Sequence, residues 1–74
     1  MKYAVIIARA GDNYSACAPD LPGCVSVGDT IEETERNIKE AIEFHLEGMR
    51  MAGLAIPKSS AVCEYVEVAA EPIA

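Results

Sequence analysis

The chain has 74 residues, of which 51% are hydrophobic, and it carries a formal net charge of −6 at pH 7. This length predicts one small domain, and the apolar share, high for so short a chain, favours a dimer or tetramer. The acidity argues against direct nucleic-acid binding, which needs a basic surface, and no apolar run approaches the length of a membrane span. The charge is compatible with a basic protein partner, although acidity that only keeps a chain in solution is the commoner explanation.

The cysteine and histidine content indicates neither a disulfide framework nor a zinc site. Cys17, Cys24 and Cys63 are odd in number, lack the spacing of zinc ligands, and are accompanied by a single histidine, His45. No signal peptide is recognised at Met1, so we expect a cytoplasmic protein whose three thiols are reduced and pack as small hydrophobes. No metal or other cofactor is expected.

Three strands are predicted before residue 28. Residues 2–9 alternate between two apolar faces, which predicts a central strand covered on both sides. A turn at residues 11–13 leads to an antiparallel strand over residues 14–18, and a short third strand spans residues 24–27. Two prolines and a glycine within residues 19–24, the PDLPGC loop, exclude a helix or a central strand there, so this loop is expected to be a rigid connection.

One long helix is predicted after the third strand. Thr30 and Glu33 have the spacing of a capping box at its start, and Gly53 is suited to its C-terminus. Between them, apolar residues recur at three- and four-residue steps, which predicts one face packed on a sheet. That stripe comprises Ile31, Ile38, Ala41, Ile42, His45 and Met49. Phe44 and Met51 lie off the stripe, so each is either a contact with another protein or covered by a neighbouring loop.

The final stretch predicts a fourth strand and completes an α+β fold. Residues 61–68 alternate and are rich in valine, as half-buried strands are, whereas the tail, residues 71–74, is expected to fray. The predicted order is β-β-β-α-β: one mostly antiparallel four-stranded sheet with a single long helix on one face. The other face, formed by Ala4, Ile6 and Ala8 or by the residues that alternate with them, would then be partly bare unless another subunit covers it.

No catalytic set can be assembled from these residues. Two-metal nuclease chemistry needs several converging carboxylates, and the first predicted strand, residues 2–9, contains no acid. A thiol–imidazole pair of Cys17 or Cys24 with His45 can be imagined, but a lone histidine on the apolar stripe of a helix is more typical of packing. We therefore do not expect an enzyme.

Several motifs taken together resemble the HicB-like antitoxin family. They are the PDLPGC loop, the Gly28-Asp29-Thr30 triplet that opens the helix, residues 42–48, and Ile56-Pro57. The resemblance runs from about Tyr3 to Val68 and implies a partial ribonuclease-H-like fold for a domain over residues 1–70. Longer members of the family carry a C-terminal DNA-binding domain, and none is expected among these 74 residues.

The resemblance implies that the protein binds a toxin. HicB-like antitoxins neutralise a small basic toxin of the HicA type, which cleaves messenger RNA, by covering its catalytic histidine. The alternative is an orphan oligomeric module, regulatory or small-ligand-binding, that has lost its toxin. Under either hypothesis the candidate contacts with a partner or a second copy are Asp20, Leu21, Pro22, Gly23, Phe44 and Met51. For the PDLPGC loop, a purely structural role is the competing interpretation.

Overall fold

The structure, a computed structural model, describes residues 1–70. Its elements are β1 (Ile6–Ala10), β2 (Asn13–Cys17), β3 (Val25–Gly28) and the helix α1 (Ile31–Met51). The strands form one antiparallel sheet in the order β1-β2-β3, and α1 lies across one of its faces. An α+β fold of three strands followed by one helix is thus confirmed, while the predicted frayed tail at residues 71–74 lies outside the described residues.

The β1–β2 hairpin follows from its two-residue turn. Ala10 pairs with Asn13, so Gly11 and Asp12 alone connect the strands. Gly11 has a φ of +66° and Asp12 has a negative φ, which matches a turn with glycine at its first central position. A side chain at Gly11 would be strained in that conformation.

The prediction that the first strand is central and covered on both sides is wrong. In the described sheet β2 is central and β1 is an edge strand that begins at Ile6, four residues later than predicted. Ile6 and Ala8, on the side away from the helix, are exposed in the single chain, whereas Ala4 is half-buried. Apolar residues at successive positions indicate that both faces of the strand are suited to burial. They do not indicate whether another part of the protein, or another molecule, is present to bury both faces.

The core lies between α1 and the sheet and includes the PDLPGC loop. Its buried members are Ala16, Ala18, Leu21, Cys24 and Ile38. The loop is held in shape by backbone hydrogen bonds, including Leu21 N to Ala18 O at 2.9 Å and Cys24 N to Leu21 O at 3.0 Å. This shape turns the Leu21 side chain inward, where none of its surface is exposed.

Both ends of α1 are capped, as predicted. The Thr30 hydroxyl accepts a hydrogen bond from Glu33 N at 3.0 Å, and the Glu33 carboxylate accepts one from Asp29 N rather than from Thr30 N. At the other end Gly53 has a φ of +73°. Hydrogen bonds from Gly53 N to Arg50 O and from Leu54 N to Met49 O form the pattern that ends helices at a left-handed glycine.

The buried face of α1 differs from the predicted stripe at two positions in its first turns. Ile31 is 48% exposed, whereas Thr34, which the stripe omits, is fully buried. Thr34 lies against Gly28, and its hydroxyl donates to Thr30 O at 2.6 Å. A threonine can therefore be buried here because its one polar group is satisfied within the helix.

The predicted fourth strand over residues 61–68 is not formed. This segment has no regular hydrogen-bonded partner, and residues 62–70 are all exposed. An extended segment becomes a strand only when the edge of another strand satisfies its backbone groups, and here the segment leaves the body of the molecule instead. Cys63 lies within it and is exposed, so the expectation that all three cysteines pack in the interior is wrong for Cys63.

Candidate protein-binding site

The best-formed apolar depression near the predicted contacts lies between the PDLPGC loop and α1. We call it the loop–helix groove; it has a volume of about 450 Å³. The residues that shape it include Gly23, Val25, Phe44, His45 and Leu54. It exists because the PDLPGC loop turns at Gly23, where φ is +82°, and because Gly53 turns the chain so that Leu54 comes back beside the helix.

Phe44 is the most exposed apolar side chain of the loop–helix groove. It is 83% exposed, and Leu54, which also lines the groove, is 59% exposed. Two exposed acids, Glu40 and Glu47, lie one helical turn before and after Phe44. The Glu47 carboxylate is paired with Arg50 Nη1 at 2.8 Å, so Glu40 supplies the acidic charge beside the exposed aromatic ring. Such a surface is suited to bind a protein that offers an apolar pocket with basic residues at its rim.

Asp20 binds the chain's own C-terminal segment. Its carboxylate accepts hydrogen bonds from Ser60 N at 3.0 Å, Ser60 Oγ at 2.8 Å and Ala61 N at 3.1 Å. We call this arrangement the Asp20 clasp. The hydrogen bonds from Ala61 and Ser60 stabilise the carboxylate and hold the pKa of Asp20 below its ordinary value of 3.8.

The other predicted contacts are divided between the interior and the surface. Leu21 is in the core, while Pro22 and Gly23 are exposed on the PDLPGC loop. Met51, in the last turn of α1, is 81% exposed but does not line the groove. The structure therefore brings Gly23 and Phe44 together and leaves Met51 apart from them.

Sequence reasoning did not select Val25, His45 or Leu54 as groove residues, and it missed the clasp. Leu54 had an available signal, because a hydrophobic residue directly after a terminating glycine commonly packs back on the last helical turns. Val25 was assigned to a strand, but nothing indicated that its side chain would be exposed. Asp20 and Ser60 are 40 positions apart, and no local pattern links them.

A second bare apolar surface is the face of the sheet away from α1. Ile6, Val25 and Val27 on this face are each more than half exposed, and they frame a shallow depression of about 510 Å³. Within residues 1–70 no group of three or more His, Cys, Asp or Glu side chains could hold a metal ion. No helix in that range is long and apolar enough to cross a bilayer.

The Asp20 clasp is expected to open in acid. Because the pKa of Asp20 is lowered in the folded chain, its stabilising contribution is complete above 3.8 and is lost as the pH falls below that value through the folded pKa. Hydrogen exchange at the Ser60 and Ala61 amides should therefore stay slow at pH 5, after correction for intrinsic rates, and become progressively faster as the pH is lowered below 3.8. In Asp20→Asn both amides should exchange fast at pH 5; slow exchange in that variant would show that the carboxylate does not hold them.

Comparison with known proteins identifies a family for nearly the whole chain. The profile of the HicB_like antitoxin of bacterial toxin-antitoxin systems matches residues 3–71. An uncharacterized 14.9 kDa protein of Haemophilus phage HP1 is 44% identical over 66 residues, which are 89% of this chain but 50% of the phage protein. A UPF0150 protein of Thermoplasma acidophilum is 42% identical over 62 residues, 82% of this chain and 90% of that protein. The chain thus spans about half the length of the phage relative.

Two solved structures share the fold. The N-terminal domain of the Burkholderia pseudomallei antitoxin HicB is 29% identical, with a TM-score of 0.72 over 82% of this chain and 73% of that one. A chain of a HicA3 and HicB3 toxin-antitoxin complex is 25% identical, with a TM-score of 0.69 over 80% of this chain and 70% of that one. With the family profile matching residues 3–71, the chain belongs to the HicB-like antitoxin family of bacterial toxin–antitoxin systems.

Proposed function

We propose that this protein is an antitoxin that binds a small basic toxin of the HicA type and blocks its active site. The observation that carries the proposal is the loop–helix groove, an exposed aromatic anchor between acidic side chains, on a chain of the HicB-like antitoxin family. A structural neighbour, HicB3, is known in complex with HicA3, which supports a toxin of this type as the partner.

Phe44 is proposed to be the central contact. Binding energy in protein interfaces concentrates in a few aromatic or arginine side chains that fill pockets, while surrounding residues exclude water. Phe44 has the exposed area for that role. Glu40 would attract basic residues of the toxin and speed the encounter, whereas Glu47 is already paired with Arg50. The protein would act by binding alone, because this mode of inhibition needs no catalytic group.

The first test is whether a complex forms. Each small basic reading frame next to the gene for this chain can be co-expressed with the tagged chain, as a catalytically inactive variant, and captured by pull-down. A stable complex that suppresses the ribonuclease activity of the active toxin is expected. If no such toxin binds, the antitoxin proposal is wrong and the orphan oligomeric module becomes the better hypothesis.

Phe44→Ala is expected to weaken toxin binding about 30-fold or more, which corresponds to a loss of roughly 2 kcal/mol. The fold should be unaffected, because the side chain is 83% exposed in the free chain. Met51→Ala removes a similarly exposed apolar side chain outside the groove and serves as the matched control. Calorimetric titration of both variants checks the prediction; loss of affinity in Met51→Ala alone would place the toxin on the end of the helix instead.

A further inference from the structure

The C-terminal segment has the composition of a buried strand but no burial. Among residues 61–68, the side chains of Val62, Tyr65 and Val66 are 80%, 104% and 79% exposed. Isolated apolar residues are common on surfaces, but a continuous alternating run left in water is not. Such a run with high β propensity pairs readily with any free strand edge.

The chain as a whole exposes more surface than a compact monomer of its mass. The accessible surface is 6048 Å², whereas a compact monomer of this mass exposes about 4,400 Å². The longest dimension is 53 Å, although the 21-residue helix accounts for only about 31 Å of length. The excess of about 1,600 Å² is comparable to the area that stable protein interfaces bury.

A groove that could accept this segment lies on the opposite side of the helix from the loop–helix groove. Between residues 1–5 and the flank of α1 there is an apolar groove of about 670 Å³, here called the β1-edge groove. Val5, Ile42 and Leu46 line it and are half-buried. Because β1 pairs only with β2 among residues 1–70, the backbone groups along its other edge can bind one further strand.

We propose that residues 61–68 of one copy of this chain add as a strand to β1 of a second copy and fill its β1-edge groove, and that the exchange is reciprocal. Each copy then gains the fourth strand that its sequence predicts, under the flank of a partner's helix. The occupant of the groove is a second copy of this chain, and the proposal requires no toxin.

The Asp20 clasp favours exchange over closure within one chain. It holds Ser60 and Ala61 at the PDLPGC loop, and beyond it no residue of 62–70 is covered by the body of the molecule. Two exchanged segments and two filled grooves bury on the order of 2,000 Å², enough for a stable dimer. Charge contributes less: Arg36 and Lys39 on the groove flank can meet the two acids of the segment, but three acids, Glu32, Glu35 and Glu43, also line it.

The first experiment measures the mass of the untagged chain in solution at micromolar concentration by light scattering. A dimer is expected, and a monomer would overturn the proposal. Val66→Lys should raise the dissociation constant at least 100-fold and give a monomer with an unchanged helix signal. Met51→Lys adds the same charge at an equally exposed site outside the segment and the groove, so it should remain a dimer; the reverse pattern would refute strand exchange.

A second experiment distinguishes exchange between copies from closure within one. An isotopically labelled chain with its native Cys63 is mixed with an unlabelled chain that carries Lys39→Cys and Cys63→Ser. A short thiol cross-linker can then join position 39 to position 63 only between chains, and mass spectrometry should detect that mixed link. A further chain carries Lys39→Cys together with the native Cys63. The proposal would be overturned if this chain were cross-linked only within itself at both nanomolar and micromolar concentration, and if the mixture gave no link between labelled and unlabelled chains.

Discussion

Replacing Leu21 with alanine is expected to lower the free energy of unfolding by about 3–4 kcal/mol. Leu21 is fully buried and packs with Ala16, Ala18 and Ile38 in a core of only a few residues. A domain of this length has a total stability of roughly 4–11 kcal/mol, so one substitution removes a large fraction of it. Because backbone hydrogen bonds hold the PDLPGC loop in shape, we expect little collapse into the cavity, so the cost should lie above the lower end of the range for such changes.

This loss can be measured by urea unfolding monitored by circular dichroism at 222 nm, where it appears as a lower urea concentration at the midpoint. Pro22→Ala is the matched control, because Pro22 is the next residue of the same loop and is exposed; it should cost less than about 1 kcal/mol. All variants are compared at one protein concentration, since association would add to apparent stability. A small cost for Leu21→Ala would show that the loop is not part of the core.

Gly28→Ala is expected to destabilise the protein by about 2–3 kcal/mol. A Cβ at position 28 would lie 2.6 Å from Thr34 Oγ1 and 2.7 Å from Thr34 N, distances that no real contact sustains. Neither side can retreat easily. Asn37 Nδ2 bonds Val27 O at 2.8 Å, and the Thr30 cap fixes the first turn of the helix. The glycine is therefore required where β3 and α1 approach most closely.

Gly48→Ala is a control for which the opposite change in stability is expected. Gly48 lies inside α1, and a Cβ there would meet no atom within 4 Å. Alanine in that position should stabilise the helix by up to about 1 kcal/mol, because glycine loses more backbone entropy on folding. Thermal unfolding of the two variants should shift the midpoint in opposite directions. If Gly28→Ala also raised the midpoint of thermal unfolding, β3 and α1 could not lie as close together at position 28 as the structure shows.

The parts of the fold that could be predicted are those that neighbouring residues determine. The turn at Gly11, the Thr30 cap and the end of the helix near Gly53 each depend on hydrogen bonds between residues a few positions apart. The glycines and capping side chains that form these turns and helix ends can be recognised directly in the sequence. The same holds for the PDLPGC loop, whose prolines exclude regular structure and whose Leu21 supplies an apolar anchor.

The candidate site was predictable only in part. Phe44 stands out because it is aromatic and lies off the apolar stripe, and Gly23 belongs to a loop with an unusual composition. Their placement around one groove depends on how the loop, the helix end and Leu54 pack together. Asp20 was selected as a candidate contact, but its hydrogen bond to Ser60, 40 positions away, was not anticipated.

The sequence by itself determined the order of three strands and one helix, the helix ends and the family, because periodicity, caps and turns are local. Only the tertiary structure decided that β1 is an edge strand, that Thr34 is buried against Gly28, and that residues 61–68 lie outside the body of a single chain. The physical reason is the same in each case. An apolar pattern states that a surface should be buried, but what buries it depends on chain segments far away in sequence or in another molecule.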